Sequence, residues 1–201
     1  MYKITTGIGL FVSLLFGIYV TYNPQANVTY LIAAFVLIMT TVTIVGDIWT
    51  RHYFKNVGFG AYYVPSENKT VKKMVKLAEP KSGMKIADLG SGDGKVVISM
   101  AKKGAEVHGY EIDPYLALIS KIRVKLRFLG NKATIHKQSY WDVTLSEYNV
   151  ITLFGIPYIM EKLEKKLLKE LKPGTKIISN KFKFPNLEPV KIVDDIFVYV
   201  V

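Results

Sequence analysis

Hydrophobic positions fall into two regimes along this chain: two long unbroken apolar runs, then a stretch in which apolar and polar residues alternate with helix and strand periods. Ile4 to Tyr22 is uncharged and mostly apolar over about 19 residues, and Val28 to Gly46 repeats that length. Each is close to the roughly 20 residues that cross a bilayer as a helix, so spans over 4–22 and 28–46 are predicted. Asn23-Pro24-Gln25-Ala26-Asn27 between them is a short polar turn, giving a two-helix transmembrane hairpin over 1–50. Buried helices of a soluble protein would need a core around two all-round apolar helices, which the remaining sequence does not offer. A cleaved signal peptide lacks an A-x-A-like site here and leaves the second run unexplained.

The second regime reads as alternating strands and helices. Asp47 to Asn56 mixes Trp49, His52, Tyr53 and Phe54 with Arg51 and Lys55, the composition of a membrane-interface belt; with Gly58-Phe59-Gly60-Ala61 it makes 51–61 an interfacial linker before a domain over 62–201. Ser66 is a plausible N-cap for a helix over Lys69 to Leu77, with Val71, Met74, Val75 and Ala78 on one face. Met84–Leu89, Ala105–Glu111, Ala133–Gln138, Asn149–Gly155 and Thr175–Phe182 read as strands. Helices are expected from Lys95 to Lys103, from Asp113-Pro114 to about Leu129 with Leu116, Ile119, Ile122 and Leu126 inward, and along the stripe Met160, Leu163, Leu167, Leu168, Leu171. Val190–Val193 and Ile196–Val201 form a hairpin turning at Asp194-Asp195. The fold class is therefore α/β: a Rossmann-like domain with a mainly parallel sheet and a C-terminal antiparallel hairpin.

Charge follows the same division. Through position 50 the only charged side chains are Lys3 and Asp47, so the whole net charge of +11 belongs to the rest of the chain. Lys3 before the first span, Arg51 and Lys55 after the second, and an uncharged turn between place both termini and the domain on the cytoplasmic side. A basic domain there is attracted to anionic lipid, and the same lysines and arginines could contact RNA. Cysteine is absent, which excludes disulfides and thiolate chemistry. No residues stand at metal-ligand spacing, so no metal is expected.

The candidate chemistry lies in Ile86 to Glu111. An apolar strand ends at Asp88 and runs into Gly90-Ser91-Gly92-Asp93-Gly94, a turn that needs positive φ and a backbone without Cβ where a ligand comes close. Glu111 closes the next strand, where a carboxylate can accept from two ribose hydroxyls. The spacing is G-x-G-x-G, with Lys95 where the dinucleotide fingerprint has its third glycine. Asp88 and Asp93 suit a cationic ligand such as S-adenosyl-L-methionine better than a pyrophosphate. No G-x-x-x-x-G-K-[ST] occurs, which disfavours an NTPase. Ser139-Tyr140-Trp141-Asp142 ends the third strand, where an adenine would lie, with Tyr140 or Trp141 flanking it. The bland readings are a glycine turn without a ligand and a Trp141 that only packs the core.

On these residues the domain resembles a class I S-adenosylmethionine-dependent methyltransferase. More narrowly it resembles the membrane-anchored protein lysine methyltransferases of ATP-synthase c-subunit and adenine nucleotide translocase, together with archaeal protein lysine methyltransferases. The resemblance rests on Tyr63-Val64-Pro65-Ser66, Asp88 to Gly94, Gly109-Tyr110-Glu111, Leu145-Ser146-Glu147-Tyr148, Phe154-Gly155-Ile156-Pro157 and Leu171-Lys172-Pro173-Gly174. It implies Asp88, Gly90, Gly92 and Gly94 at the methionine moiety and Glu111 at the ribose. Where the class often has Asp after the third strand this chain has Ser139, so Asp142 or the Tyr140 backbone is the alternative adenine contact. The adenine-N6 enzymes' D/N-P-P-Y/F is not matched: Phe154-Gly155-Ile156-Pro157-Tyr158 lacks the polar residue and the first proline.

The resemblance implies methylation of a lysine ε-amino group, on a membrane protein near the anchor and, in a eukaryote, at the mitochondrial inner membrane. Methyl transfer from a sulfonium is an in-line displacement that needs alignment and a dry pocket more than an acid–base pair. The lysine must lose its proton, which desolvation against aromatic walls favours; Tyr62, Tyr63, Phe154 and Tyr158 are the candidates for those walls. RNA or a small molecule as acceptor, and a non-enzymatic membrane adaptor, are the alternatives.

Overall fold

The structure, a computed structural model, describes residues 14–15, 18–19, 21–22, 28–57 and 63–201. The chain divides into two compact units, Met1–Gly60 and Ala61–Val201.

In the first unit, helix α1 spans Val28–Val57. Its window Tyr30–Asp47 has a mean hydropathy of 1.9 over 18 residues, none of it buried. Thr40 and Thr41 turn their hydroxyls back onto the carbonyls of Val36 and Leu37, at 2.8 and 2.7 Å, which satisfies these groups without water. Among the described residues this is the one helix long and apolar enough to cross a membrane. The first predicted span, 4–22, lies mostly outside the described residues. The helix continues beyond the apolar window to Val57, so the backbone of the aromatic and basic stretch after Asp47 is helical.

The second unit is a seven-stranded sheet with helices on both faces. Helix α2 (Asn68–Ala78) leads into β1 (Lys85–Leu89), α3 (Lys95–Ala101), β2 (Glu106–Glu111), α4 (Pro114–Leu126), β3 (Ala133–Lys137), a 3-10 turn at Tyr140–Asp142, β4 (Val150–Phe154), α5 (Pro157–Glu170), β5 (Lys176–Asn180), β6 (Lys191–Val193) and β7 (Ile196–Val200). The strand order is β3-β2-β1-β4-β5-β7-β6. Neighbours from β3 to β5 pair in parallel, and β7 pairs antiparallel with both β5 and β6. The order reverses beside β1, and ligands of open α/β sheets bind outside the carboxyl ends of the strands at such a point.

Period-two alternation sends each strand's residues into two cores. Ile86, Val107, Val150 and Ile178 join Val71 and Met74 of α2 and Val97 and Met100 of α3 on one face. Leu89, Tyr110, Ile151, Leu153 and Ile177 join Met160, Leu163 and Leu167 of α5 on the other. Asp88 and Thr152 are register partners between β1 and β4, and both are buried.

Two local expectations are overturned. Ser66 does not cap α2: the capping position is Glu67, without a side-chain cap bond, while the Ser66 carbonyl accepts from Lys95 Nζ at 3.3 Å. The inward face of α4 is Ala117, Ser120 and Val124, not Leu116, Ile119, Ile122 and Leu126. The reason is room. Helix α4 packs so close to the glycine turn that a Cβ on Gly94 would come within 2.1 Å of Ser120 Oγ, and only a small side chain fits there. The large aliphatic residues of α4 are left on its outer side.

Candidate functional site

The turn after β1 is held open by backbone geometry. Gly90, Gly92 and Gly94 have φ of 80°, 53° and 77°, a region that costs an L-residue about 1–2 kcal/mol. Space adds to this at two of them, since a Cβ on Gly92 would meet the Tyr63 ring at 2.5 Å and one on Gly94 would meet Ser120. Above Gly90 a Cβ would meet nothing within 4 Å; this is the glycine that faces open space. The amides of Gly90 and Ser91 both donate to the Tyr110 carbonyl, at 2.9 and 3.0 Å, which ties the turn to the end of β2.

Three carboxyl groups gather here in different states. Glu111 is buried and accepts from the Gly92 and Asp113 amides, at 2.7 and 2.8 Å. Asp93 is committed to Arg123, whose guanidinium donates to both its side chain and its carbonyl, the latter at 3.0 Å. Among the described residues no cation pairs with Asp88. It accepts from the Thr152 hydroxyl at 2.7 Å, and burial, reinforced by the negative charges of Glu111 and Asp93, pushes its carboxyl up to about 7. The sequence pairs Asp88 and Asp93 as acids for a cation; the structure leaves Asp88 for that task.

The remaining candidates surround this turn. Tyr63 lies across Gly92, its hydroxyl pushed up to about 12 by burial and by Asp93. Tyr62 lies outside the described residues. Ser139 caps the 3-10 turn, its hydroxyl accepting from the Trp141 amide at 3.3 Å. Tyr140 is half-buried, and burial, with smaller contributions from the charges of Tyr158 and Glu111, pushes its hydroxyl up to about 12. Trp141 lies tilted against Tyr140, with ring centroids 5.1 Å apart, and carries Lys162 Nζ over its ring at 4.6 Å, a packing role against α5.

Phe154 ends β4 and faces Phe182, with ring centroids 6.3 Å apart and planes 24° from parallel. Gly155 follows because a Cβ there would meet Met160 Sδ at 2.3 Å. Tyr158, in the first turn of α5, is exposed. Sequence reading missed Phe182 and Asn180. Asn180 is buried and is the register partner of Phe154 at the carboxyl end of β5. The sequence places both inside a strand running to Phe182; the strand instead ends at Asn180, and Lys181 at φ 77° turns the chain so that Phe182 reaches Phe154.

The motif Leu145 to Tyr148 has a structural part. Leu145 is buried and its amide donates to Glu170 at 2.9 Å, and Glu147 pairs with Lys85 at 2.6 Å. The Tyr148 hydroxyl bridges Tyr110, at 2.6 Å, and His108 Nδ1, at 3.0 Å.

The arrangement fits a ribose-bearing cation. Glu111 stands at the end of β2 where a diol would be accepted, Asp88 is an acid without a positive partner among the described residues, and a Cβ on Gly90 would meet no atom within 4 Å.

Comparison with known proteins agrees with that chemistry. Residues 88–191 match the family described as the ANTKMT methyltransferase domain. The chain is 36% identical over 141 residues to the lysine N-methyltransferase of the ATP synthase c-subunit from Xenopus laevis, covering 68% of this chain and 62% of that protein. It therefore spans about three fifths of that relative. It is 34% identical over 138 residues to a protein-lysine N-methyltransferase of Saccharolobus islandicus, covering 65% of this chain and 83% of that one. A solved RNA methyltransferase from Salinibacter ruber, in complex with S-adenosyl-L-homocysteine, superposes with a TM-score of 0.66 at 30% identity, over 68% of this chain and 93% of that one.

Proposed function

Since the chain belongs to the ANTKMT methyltransferase family, we propose that it transfers the methyl group of S-adenosyl-L-methionine to the ε-amino group of a protein lysine, and that it does so at a membrane. The observation that carries the reading is the buried Asp88 carboxyl, without a cation partner among the described residues, near Glu111 and the positive-φ glycine turn.

In this reading Asp88 and the turn Gly90, Gly92, Gly94 hold the methionine end, where the ammonium supplies the charge that Asp88 lacks. Glu111 accepts from the ribose hydroxyls. Ser139 and Tyr140 border the adenine, Tyr140 through its ring and backbone. The bound cofactor would supply an electrophilic methyl carbon on a positively charged sulfur.

This chain's own work is then alignment and exclusion of water. Tyr63, Phe154 and Tyr158, joined by Phe182, form the walls against which a lysine side chain is desolvated, and Tyr62 belongs with them by its place beside Tyr63. Desolvation lowers the ammonium's pKa from about 10.4 and favours the neutral amine. Within the described residues near the turn, no lysine or arginine approaches Asp88 closely enough to compensate it, so a cationic ligand gains there what the free fold lacks.

The apolar window of α1 supports an anchor, and the uncharged run 4–22 supports a second span that makes it a hairpin with the domain on the cytoplasmic side. A membrane protein substrate follows from that placement. The relatives named for the c-subunit of ATP synthase and for adenine nucleotide translocase favour protein over RNA as acceptor.

The test is transfer of a labelled methyl group from S-adenosyl-L-methionine to membranes of the source cell, with a Glu111→Ala control. Protease-sensitive label on lysine, absent in the control, is the expected result. Label removed by RNase would make the acceptor RNA. No label together with no cofactor binding would leave a non-enzymatic adaptor.

A further inference from the structure

Helix α4 carries two apolar faces, and among the described residues only one of them is buried. Ala117, Ser120 and Val124 face the sheet. On the opposite side Leu118, Ile119, Ile122 and Leu126 are 56%, 46%, 49% and 71% exposed, and Phe128, just past the helix, is 92% exposed. At 3.6 residues per turn these positions form one continuous stripe about half a turn away from the buried one. Phe128 is held outward by a φ of 55°, a conformation that is an outlier for a bulky residue.

The borders of the stripe are cationic. Lys121 and Lys125 project along one side and Arg127 along the other, all exposed; Arg123, beside Arg127, is turned inward to Asp93. Between Ile112 and Gln138 there are six lysines and arginines and one acid, Asp113. Asp113 is spent on capping α4, accepting from the Tyr115 and Leu116 amides at 2.8 and 3.1 Å.

We propose that this outer face of α4 docks on an anionic lipid surface. An aliphatic stripe flanked by long cations matches the depth profile of a bilayer interface, with hydrocarbon below and phosphates at the level of the snorkelling amines. RNA fits less well. Its backbone would meet the cations, but Leu118, Ile119, Ile122 and Leu126, the middle of the stripe, offer neither hydrogen bonds nor aromatic faces to bases, and the exposed rings, Tyr115 and Phe128, stand apart at its two ends.

The docking orients the enzyme. Helix α4 begins three residues after Glu111, so the N-terminal end of the docking face adjoins the cofactor turn. Docked in this way, the site opens close to the headgroup layer, where lysines of a membrane protein emerge. The inference rests on the membrane reading only for the presence of a bilayer and is independent of methyl transfer.

The absence of cysteine allows a direct test on the full chain. Single variants Ile122→Cys, Leu126→Cys and Phe128→Cys, with Lys165→Cys on the exposed side of α5 as control, are labelled with an environment-sensitive fluorophore. They are mixed with phosphatidylcholine vesicles that carry a lipid-bound nitroxide quencher, with or without phosphatidylserine. The expected result is quenching at 122, 126 and 128 about threefold or more above that at 165, weakened by salt, by omission of phosphatidylserine, and by Lys121→Glu with Lys125→Glu.

Equal quenching at all four positions, on chains that float with the vesicles, would overturn the proposal while leaving the anchor intact. Flotation that requires phosphatidylserine and low salt would support the face and remove the anchor. Energy transfer between labels on different molecules would assign the stripe to a second copy, and protection by added RNA would assign it to nucleic acid; either overturns the proposal. Failure to float with any vesicle overturns both.

Discussion

The Glu111 carboxylate accepts the Gly92 amide at 2.7 Å, joining the end of β2 to the middle of the glycine turn. Its other oxygen accepts the Asp113 amide at 2.8 Å. One side chain thus fixes the turn before any ligand is present, and its lone pairs are what a ribose diol would use.

Replacing Glu111 by Ala leaves two amide donors without acceptors in a buried place, which costs about 1–3 kcal/mol for each group. The expected outcome is a lower melting temperature and loss of S-adenosyl-L-methionine binding by calorimetry. Glu111→Gln keeps one acceptor oxygen, and more of the stability should return than of the affinity. Full affinity in either variant would remove Glu111 from the ribose.

Gly92→Ala adds a methyl group where the Tyr63 ring stands 2.5 Å away, at a φ of 53°. Affinity for the cofactor should fall by about tenfold or more, from strain of about 1–2 kcal/mol and displacement of the ring. Tyr63→Ala in the same chain removes the collision but not the φ strain, so it should restore part of the stability. If the double variant is no more stable than Gly92→Ala alone, Tyr63 does not lie on the turn in solution.

Asp88 should make cofactor binding depend on pH. Its folded carboxyl sits near 7, above the ordinary 3.8, so the free fold keeps the proton over that window. Stability from this group is present below 3.8 and is lost as pH rises towards 7, because the unfolded chain ionises first. Binding a cation requires the ionised form, so affinity should fall as pH drops below 7, by at most about tenfold per pH unit. Asp88→Asn should flatten both trends, bind the cofactor about tenfold or more weakly at pH 8, and raise stability there. Titration calorimetry from pH 6 to 8, with thermal melts beside it, checks this; an unchanged slope in Asp88→Asn would place the proton elsewhere.

Tyr148→Phe removes the hydroxyl that joins Tyr110 to His108. Buried Tyr110 and partly buried His108 each lose a bond, so stability should drop by about 1–3 kcal/mol in denaturant unfolding. Cofactor affinity should stay within about twofold, since the Tyr110 carbonyl that receives the Gly90 and Ser91 amides is backbone and stays where β2 holds it. A selective loss of affinity would give Tyr148 a place in the site.

Much of the domain is legible from local pattern. Apolar runs ending before glycine mark β1 and β4 near their observed bounds, and Asp113-Pro114 marks the start of α4 with the capping bonds now seen. The glycine turn and Glu111 were readable because positive φ and a strand-end carboxylate are demands on single residues. The orientation of α4 was not. Apolar periodicity favours Leu116, Ile119, Ile122 and Leu126 as its inner face, yet the close approach of Gly94 admits only Ser120 and its small neighbours. The partners of Asp93 were equally hidden, since Arg123 stands 30 residues away in sequence.

By itself the sequence determined the class of fold, the glycine turn after β1 and the apolar length of α1, because each follows from residues adjacent in the chain. Tertiary structure alone decided which of two acids is neutralised, which aromatic ring faces Phe154, and which side of α4 is left outside. Those outcomes depend on distances between elements, and such distances are fixed only when the side chains of both compete for the same space.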